Sequence, residues 1–170
     1  QHIGAYHVDV GDGRSVVFVR QMAEKSELAL IGLDGSGQRD LTRSEPGVQW
    51  SHPRFAPRGD RIAASRLEPG GRLDLVLVDT ASGEVTPLTG DRAKDVEPAF
   101  TPDGSHLVFR SDRDGISNLY ALRLSDRALF HLTNVLGGAF LPDVSPDGRS
   151  LAFASYSSRG YDLATTRLAL

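Results

Sequence analysis

The sequence predicts an all-β fold, a β-propeller of about four four-stranded antiparallel blades, and three observations in register carry that reading. Four segments align on a turn, at Asp12-Gly13, Arg58-Gly59, Asp103-Gly104 and Asp147-Gly148, with glycine spacings of 46, 45 and 44 residues. The residues opening the preceding strand, Val8, Pro53, Pro98 and Pro142, keep the same phase, as do the pairs Leu41-Thr42, Leu88-Thr89 and Leu132-Thr133. A repeat of about 45 residues holding four short strands is the signature of a propeller blade, in which each small sheet buries its faces against its neighbours. A β-sandwich explains the strand density but not the register.

The third unit shows the grammar most plainly. Pro98 to Thr101 reads as a brief inner strand, and Pro102-Asp103-Gly104 as a turn in which proline pre-sets φ at the second position. His106 to Arg110 alternates as a second strand, with Leu107 and Phe109 on one face, and Ser111 to Gly115 is a hairpin loop. Asn118 to Leu124 and Leu129 to Thr133 supply the third and fourth strands. The first unit repeats this with Val16-Val17-Phe18, Leu28 to Leu33 and Arg39 to Thr42. Residues 1–170 then form one propeller segment with blades at about 6–42, 50–89, 96–133 and 140–168. Tyr161 to Leu168 is the third strand of the last blade, which lacks its outer strand, so 15 of 16 strands are expected. The segment is expected to belong to a larger ring of six to eight blades, because an uncovered edge strand is an aggregation hazard. Tyr6, Val10, Phe18, Phe55, Phe100, Phe109, Leu119, Val144 and Phe153 are expected in the core.

Composition narrows the function. With 39% hydrophobic and 24% charged residues the chain is globular, and 19 Lys+Arg against 22 Asp+Glu leave no basic stripe for nucleic acid. The absence of cysteine excludes thiol nucleophiles and thiolate zinc sites. No apolar run reaches the 18 or so residues of a membrane span, so no direct membrane insertion is expected. A G-x-S-x-G elbow is missing, and Gly35-Ser36-Gly37 and Gly83 read as hairpin turns. Asp112-Arg113-Asp114-Gly115 opens like a calcium loop, but its twelfth position is Arg123 where a bidentate Glu is needed. The histidines His2, His7, His52, His106 and His131 lack zinc spacing. No catalytic residue, cofactor or metal site is therefore expected, and the chain reads as non-enzymatic.

The motifs Phe100-Thr101-Pro102-Asp103-Gly104, Val144-Ser145-Pro146-Asp147-Gly148, Leu151-Ala152-Phe153-Ala154-Ser155 and the recurrent Leu-Thr resemble TolB-type bacterial propeller repeats. The first two units depart from the pattern, with Gly11-Asp12-Gly13 and Pro57-Arg58-Gly59 in place of Pro-Asp-Gly. The resemblance implies a protein- or peptide-binding scaffold in a periplasmic or otherwise extracytoplasmic, cell-envelope setting. The alternatives it admits are the non-catalytic gating propeller of a prolyl-oligopeptidase-type or tricorn-like serine protease whose catalytic domain lies outside this chain, and the propeller of a large envelope protein carrying an outer-membrane barrel; the alternative location is cytoplasmic. Partners implied are a protein or peptide, together with remaining blades or another subunit.

The family topology puts the loops between blades and the loops between second and third strands on one face. Partner-binding candidates on that face are Arg43, Glu45, Arg66, Asp95, Glu97, Asp112, Arg113, Asp114 and Arg159, with Trp50 and Tyr156 as aromatic anchors, core packing being the equal alternative for Trp50. His52 precedes an inner strand and is placed at the channel mouth. Asp95 and Glu97 are expected in a loop, where charge reversal weakens binding and leaves melting unchanged.

Overall fold

A computed structural model describes residues 4–11 and 13–170. The turn predicted at Asp12 and the residue His2 lie outside the described residues. Among the described residues, fifteen strands form four antiparallel sheets, each paired in chain order. Blade 1 holds β1 (Ala5–Gly11), β2 (Ser15–Gln21), β3 (Ser26–Gly32) and β4 (Arg39–Asp40). Blade 2 holds β5 (Gln49–Phe55), β6 (Arg61–Leu67), β7 (Leu73–Asp79) and β8 (Val85–Pro87). Blade 3 holds β9 (Asp95–Phe100), β10 (His106–Ser111), β11 (Asn118–Arg123) and β12 (Leu129–His131). Blade 4 holds β13 (Ala139–Val144), β14 (Ser150–Ser157) and β15 (Gly160–Arg167). The inner strands touch in series, β1 on β5, β5 on β9 and β9 on β13, while among the described residues no strand of blade 1 packs on a strand of blade 4. The four blades form an open arc.

Alternation along each strand sends successive side chains to opposite neighbours, so an interior blade needs apolar residues at both phases. In β6, Ile62 and Ala64 join Val17, Val19, Leu28 and Trp50 in a core between blades 1 and 2. Ala63, one residue out of phase, joins Leu75, Leu107 and Phe109 between blades 2 and 3. Val108 and Leu119 turn the other way and pack with Leu151 and Phe153 between blades 3 and 4. Three such inter-blade cores replace a single central one.

The Leu-Thr repeat has a structural cause. Thr133 Oγ1 accepts a hydrogen bond from the Leu119 amide (2.9 Å) and donates to Asn118 Oδ1 (2.9 Å), while the Leu132 amide donates to the Leu119 carbonyl (2.9 Å). Thr42 repeats this on Leu28 and Glu27, and Thr89 on Leu75 and Asp74. Each pair clasps the outer edge of its blade's third strand with groups that are otherwise orphaned there. Burial pushes the Glu27 carboxyl up, but hydrogen bonds from Ser44, Thr42 and Lys25 outweigh it and hold the group below the usual carboxylate range. The turn marker also has a cause: Gly13, Gly59, Gly104 and Gly148 share φ of 67–70°, a left-handed conformation that glycine adopts without a Cβ penalty.

Three expectations need correction. The inner strands begin at Ala5, Gln49, Asp95 and Ala139, so Pro53, Pro98 and Pro142 lie inside them. Each proline sits at a break in the ladder, where its missing N–H costs no bond. Asp95 and Glu97 consequently belong to β9 instead of a loop. Val10 is 56% exposed, because it pairs with Val16 on the face of blade 1 turned away from blade 2. Tyr6, Phe18, Phe55, Phe100 and Val144 are half-buried, whereas Phe109, Leu119 and Phe153 lie in the core.

Candidate functional site

Every inner strand carries a register shift at the same place: between Tyr6 and Val8, Ser51 and Arg54, Val96 and Ala99, and Phe140 and Asp143. In blade 3, Glu97 and Pro98 stand between residues paired to Val108 and Arg110, so two residues oppose one. The bulge residue has left-handed φ in all four blades: His7 47°, His52 50°, Glu97 58° and Leu141 52°. Among the described residues only one other non-glycine residue, Arg127, has positive φ. Such a conformation costs of order 1–3 kcal/mol for a residue bearing a Cβ, so its fourfold recurrence at one level of the arc requires a cause.

Part of the cause is structural. The Glu97 amide donates to Ser65 Oγ of the preceding blade (3.2 Å), and the Leu141 amide donates to Glu97 Oε2 (2.7 Å). The other carboxylate oxygen of Glu97 meets Arg110 Nη2 at 2.9 Å. One blade thus satisfies the freed backbone of the next.

The consequence is a shared cavity. The four bulge residues and their successors Val8, Pro53, Pro98 and Pro142 line a cavity of about 260 Å³ together with Arg54 and Asp143. Valine, three prolines and Leu141 give it an apolar wall. The rings of His7 and His52 lie 4.1 Å apart, from adjacent blades. Burial, the neighbouring His7, and Arg110 and Arg54 drive the His52 imidazole down to about 4, against a smaller opposing pull from Glu97. Burial also lowers His7, with Glu97 opposing. Both rings are therefore mainly neutral near pH 7 and present hydrogen-bonding edges without charge. Beneath them Arg54 reaches Asp9 of blade 1 (3.5 Å) and Asp143 of blade 4 (3.2 Å), linking three blades. Among the described residues no group of three or more His, Cys, Asp or Glu is disposed to hold a metal ion.

Most of the charges singled out from sequence are engaged within the chain. Arg113 forms a two-oxygen pair with the fully buried Asp95 (3.0 and 3.1 Å) and reaches Asp91 at 3.3 Å, so these two loops adjoin. Asp112 accepts from the Lys94 amide at 2.7 Å, and Asp114 accepts from the Tyr120 hydroxyl. Burial and the bond to Asp114 push that phenol up to about 12. Arg66 pairs with Glu68 (2.9 Å) and lies over the Trp50 ring at 5.6 Å.

Trp50 is 2% exposed, with its indole N–H on Ser44 Oγ at 2.8 Å, so it packs in the core and is not a surface anchor. Asp95, held under Arg113, likewise presents no free surface. Arg43, Glu45, Tyr156 and Arg159 are exposed, with Tyr156 4.9 Å from the Tyr161 ring. Of the candidates, only His52 and Glu97 line this cavity. His7, Arg54, Leu141 and Asp143 were missed there. The signal was present: positions 7, 52, 97 and 141 keep the repeat spacing of 45, 45 and 44.

The sequence matches the TolB beta propeller domain over residues 10–169, and the chain belongs to that family. It is 34% identical over 148 residues, 79% of its length, to the Tol-Pal system protein TolB of Anaeromyxobacter sp. (strain K), of which it spans 31%. The chain spans less than half the length of the curated relatives it matches. Its fold is similar to a TolB structure from Agrobacterium tumefaciens, with a TM-score of 0.81 and 23% identity over 92% of this chain and 58% of that one. It is also similar to a puromycin-hydrolyzing peptidase of Mycobacterium tuberculosis, with a TM-score of 0.75 and 16% identity over 96% of this chain and 29% of that one.

Proposed function

We propose that this member of the TolB beta propeller family is a non-catalytic scaffold that holds an extended protein or peptide segment of a partner at its channel mouth, in the bacterial cell envelope. The observation that supports the reading is the bulge: four inner strands adopt the same costly backbone and thereby line one cavity. The side chains at that position differ, two histidines, a glutamate and a leucine, so what recurs is the presentation and not one chemistry. An apolar wall with a few fixed polar groups suits a peptide, whose side chains take the wall while its backbone takes the imidazole edges. Rigid blades keep the ordering cost of binding on the partner's side. The envelope setting rests on likeness to a Tol-Pal system protein.

Selection of phage-displayed 12-residue peptides tests this reading. The enriched peptides are expected to lose binding when His7 and Leu141 are both replaced by Asp, and to keep it when Arg43 and Arg159 are replaced by Ala. Peptides that bind the His7/Leu141 variant as tightly as the native chain contradict the site. The likeness to a peptidase favours a second reading, a propeller that gates a catalytic domain. That reading requires a nucleophile motif such as G-x-S-x-G elsewhere in the parent protein.

A further inference from the structure

The second residue after each bulge is Asp9, Arg54, Ala99 and Asp143 in blades 1 to 4, again at the repeat spacing of 45, 45 and 44. Arg54 is the one cation of this set, and its ion pairs are loose. Its Nη1 stands 3.5 Å from Asp9, beyond the usual reach of a hydrogen bond, and its Nη2 3.2 Å from one oxygen of Asp143. Asp9 is engaged elsewhere, its other oxygen accepting from the Phe55 amide at 2.8 Å, whereas the Asp143 side chain is 74% exposed. The neighbouring charges are committed: Glu97 to Arg110 and the Leu141 amide, and Arg110 to Glu97 and Ser117 Oγ. Arg54 has space around it, because it lines both the 260 Å³ cavity and a second one of about 230 Å³ that includes Phe55 and Phe100. Blade 3 contributes only the methyl of Ala99 at this level.

We infer that Arg54 is the specificity-determining residue of the cavity and takes a carboxylate of the bound segment, an Asp or Glu side chain or a free C-terminus, which displaces Asp143. The inference rests on the peptide-binding reading above. A guanidinium presents a planar fork that holds a carboxylate by two parallel N–H···O bonds, and neither Asp9 nor Asp143 uses it in that way. An ion pair with so exposed a carboxylate contributes little, so Asp143 yields to a better-placed one. The ligand's carboxylate takes the place of Asp143, which swings into water, so the charge in contact with Arg54 is unchanged. Val8, Pro53 and Leu141 then form the wall for the residues on either side of it. Asp143 is thus an internal competitor, held by the same group that reads the partner.

Retention of peptide pools on the immobilised chain tests this. The pools are Ac-Gly-x-x-Z-x-x-Gly-NH2, with x randomised over uncharged residues and Z fixed as Asp, Glu, Asn or Gln, and the Asn pool remade with a free C-terminal carboxylate. Retention about tenfold above that of the amidated Asn and Gln pools is expected for the Asp and Glu pools if a side chain is read, and for the free-carboxylate pool if a chain end is. Arg54→Gln is expected to level the pools, and Asp143→Asn, which removes the competitor, to raise retention of the favoured pool about threefold. Equal retention of carboxylate and amide pools by the native chain overturns the inference, as does retention unraised by Asp143→Asn. If that equal retention is lost when His7 and Leu141 are both replaced by Asp, peptide binding at the cavity stands without the role of Arg54. Retention of no pool overturns both.

Discussion

β7 and β15 hold the same place, third strand of a blade, and differ almost completely in burial. Residues 74 to 78 of β7 are all buried, whereas in β15 only Gly160 and Ala164 are even half-buried. The local pairing is alike, each strand running antiparallel to the second strand of its blade without a bulge. What differs is the company. β7 has β8 on its edge and a blade on each face, whereas β15 has, among the described residues, neither an edge partner nor a neighbour on its outer face. In a propeller, burial belongs to the interface between repeats and not to the repeat, as expected for architectures stabilised by nearest-neighbour contacts.

Substitutions sharpen that contrast. The largest effect is expected at Asp95. Removing the carboxylate in Asp95→Ala leaves Arg113 with its guanidinium largely buried and its main partner gone, for a loss of about 3 kcal/mol in urea unfolding. The exposed carboxylate in Asp162→Ala is expected to change stability by less than about 0.5 kcal/mol. Charge reversal at Asp95 therefore changes melting, contrary to the expectation from sequence. Next comes a matched pair of leucines. Leu119→Ala, emptying a fully buried site between blades 3 and 4, is expected to cost about 3 kcal/mol, and Leu163→Ala about 0.5 kcal/mol or less. Equal costs break the comparison.

Smaller still is the clasp. Thr133→Val keeps the shape but strands the Leu119 amide and leaves Asn118 Oδ1 with the Val135 amide alone, at about 1–2 kcal/mol, while Thr165→Val on the open blade is expected to be nearly neutral. The smallest effect is a pH dependence at the channel mouth. His52 titrates near 4 when folded and near 6.5 when unfolded, so the unfolded chain takes up the proton first as pH falls. The stability linked to this ring is complete above about pH 6.5 and declines toward pH 4, by about 1 kcal/mol once solvent screening of a partly exposed ring is allowed for. His52→Asn, which tolerates the left-handed backbone, is expected to flatten that part of the profile relative to the native chain. A difference curve without slope between pH 6.5 and 4 contradicts it.

The blades were legible because their markers recur at a fixed spacing. The reason for the markers was not: nothing in Leu132-Thr133 alone says that the hydroxyl bridges Leu119 and Asn118, 14 and 15 residues earlier. The bulges were hidden by reading Pro53, Pro98 and Pro142 as strand openers. A proline with no N–H fits the start of a strand and a bulge equally well, and only the pairing on both sides of it separates the two. That misplacement moved Asp95 and Glu97 into a loop and left His7 and Leu141 unnoticed. Trp50 and Arg113 looked like binding residues because their type is common at interfaces, yet each finds its partner inside the chain, Trp50 through Ser44 and Arg113 through Asp95. Val10 and Leu163 carry the pattern of core residues correctly and are exposed because the faces they belong to are uncovered.

Residue-resolved amide hydrogen exchange tests the central claim, that an interface and not the strand itself confers order, most directly. The amides of Leu75 and Leu119, which donate to Thr89 and Thr133, are predicted to exchange at least about a hundredfold more slowly than that of Leu163, at the matching place on the uncovered edge. Equal protection of all three contradicts the account.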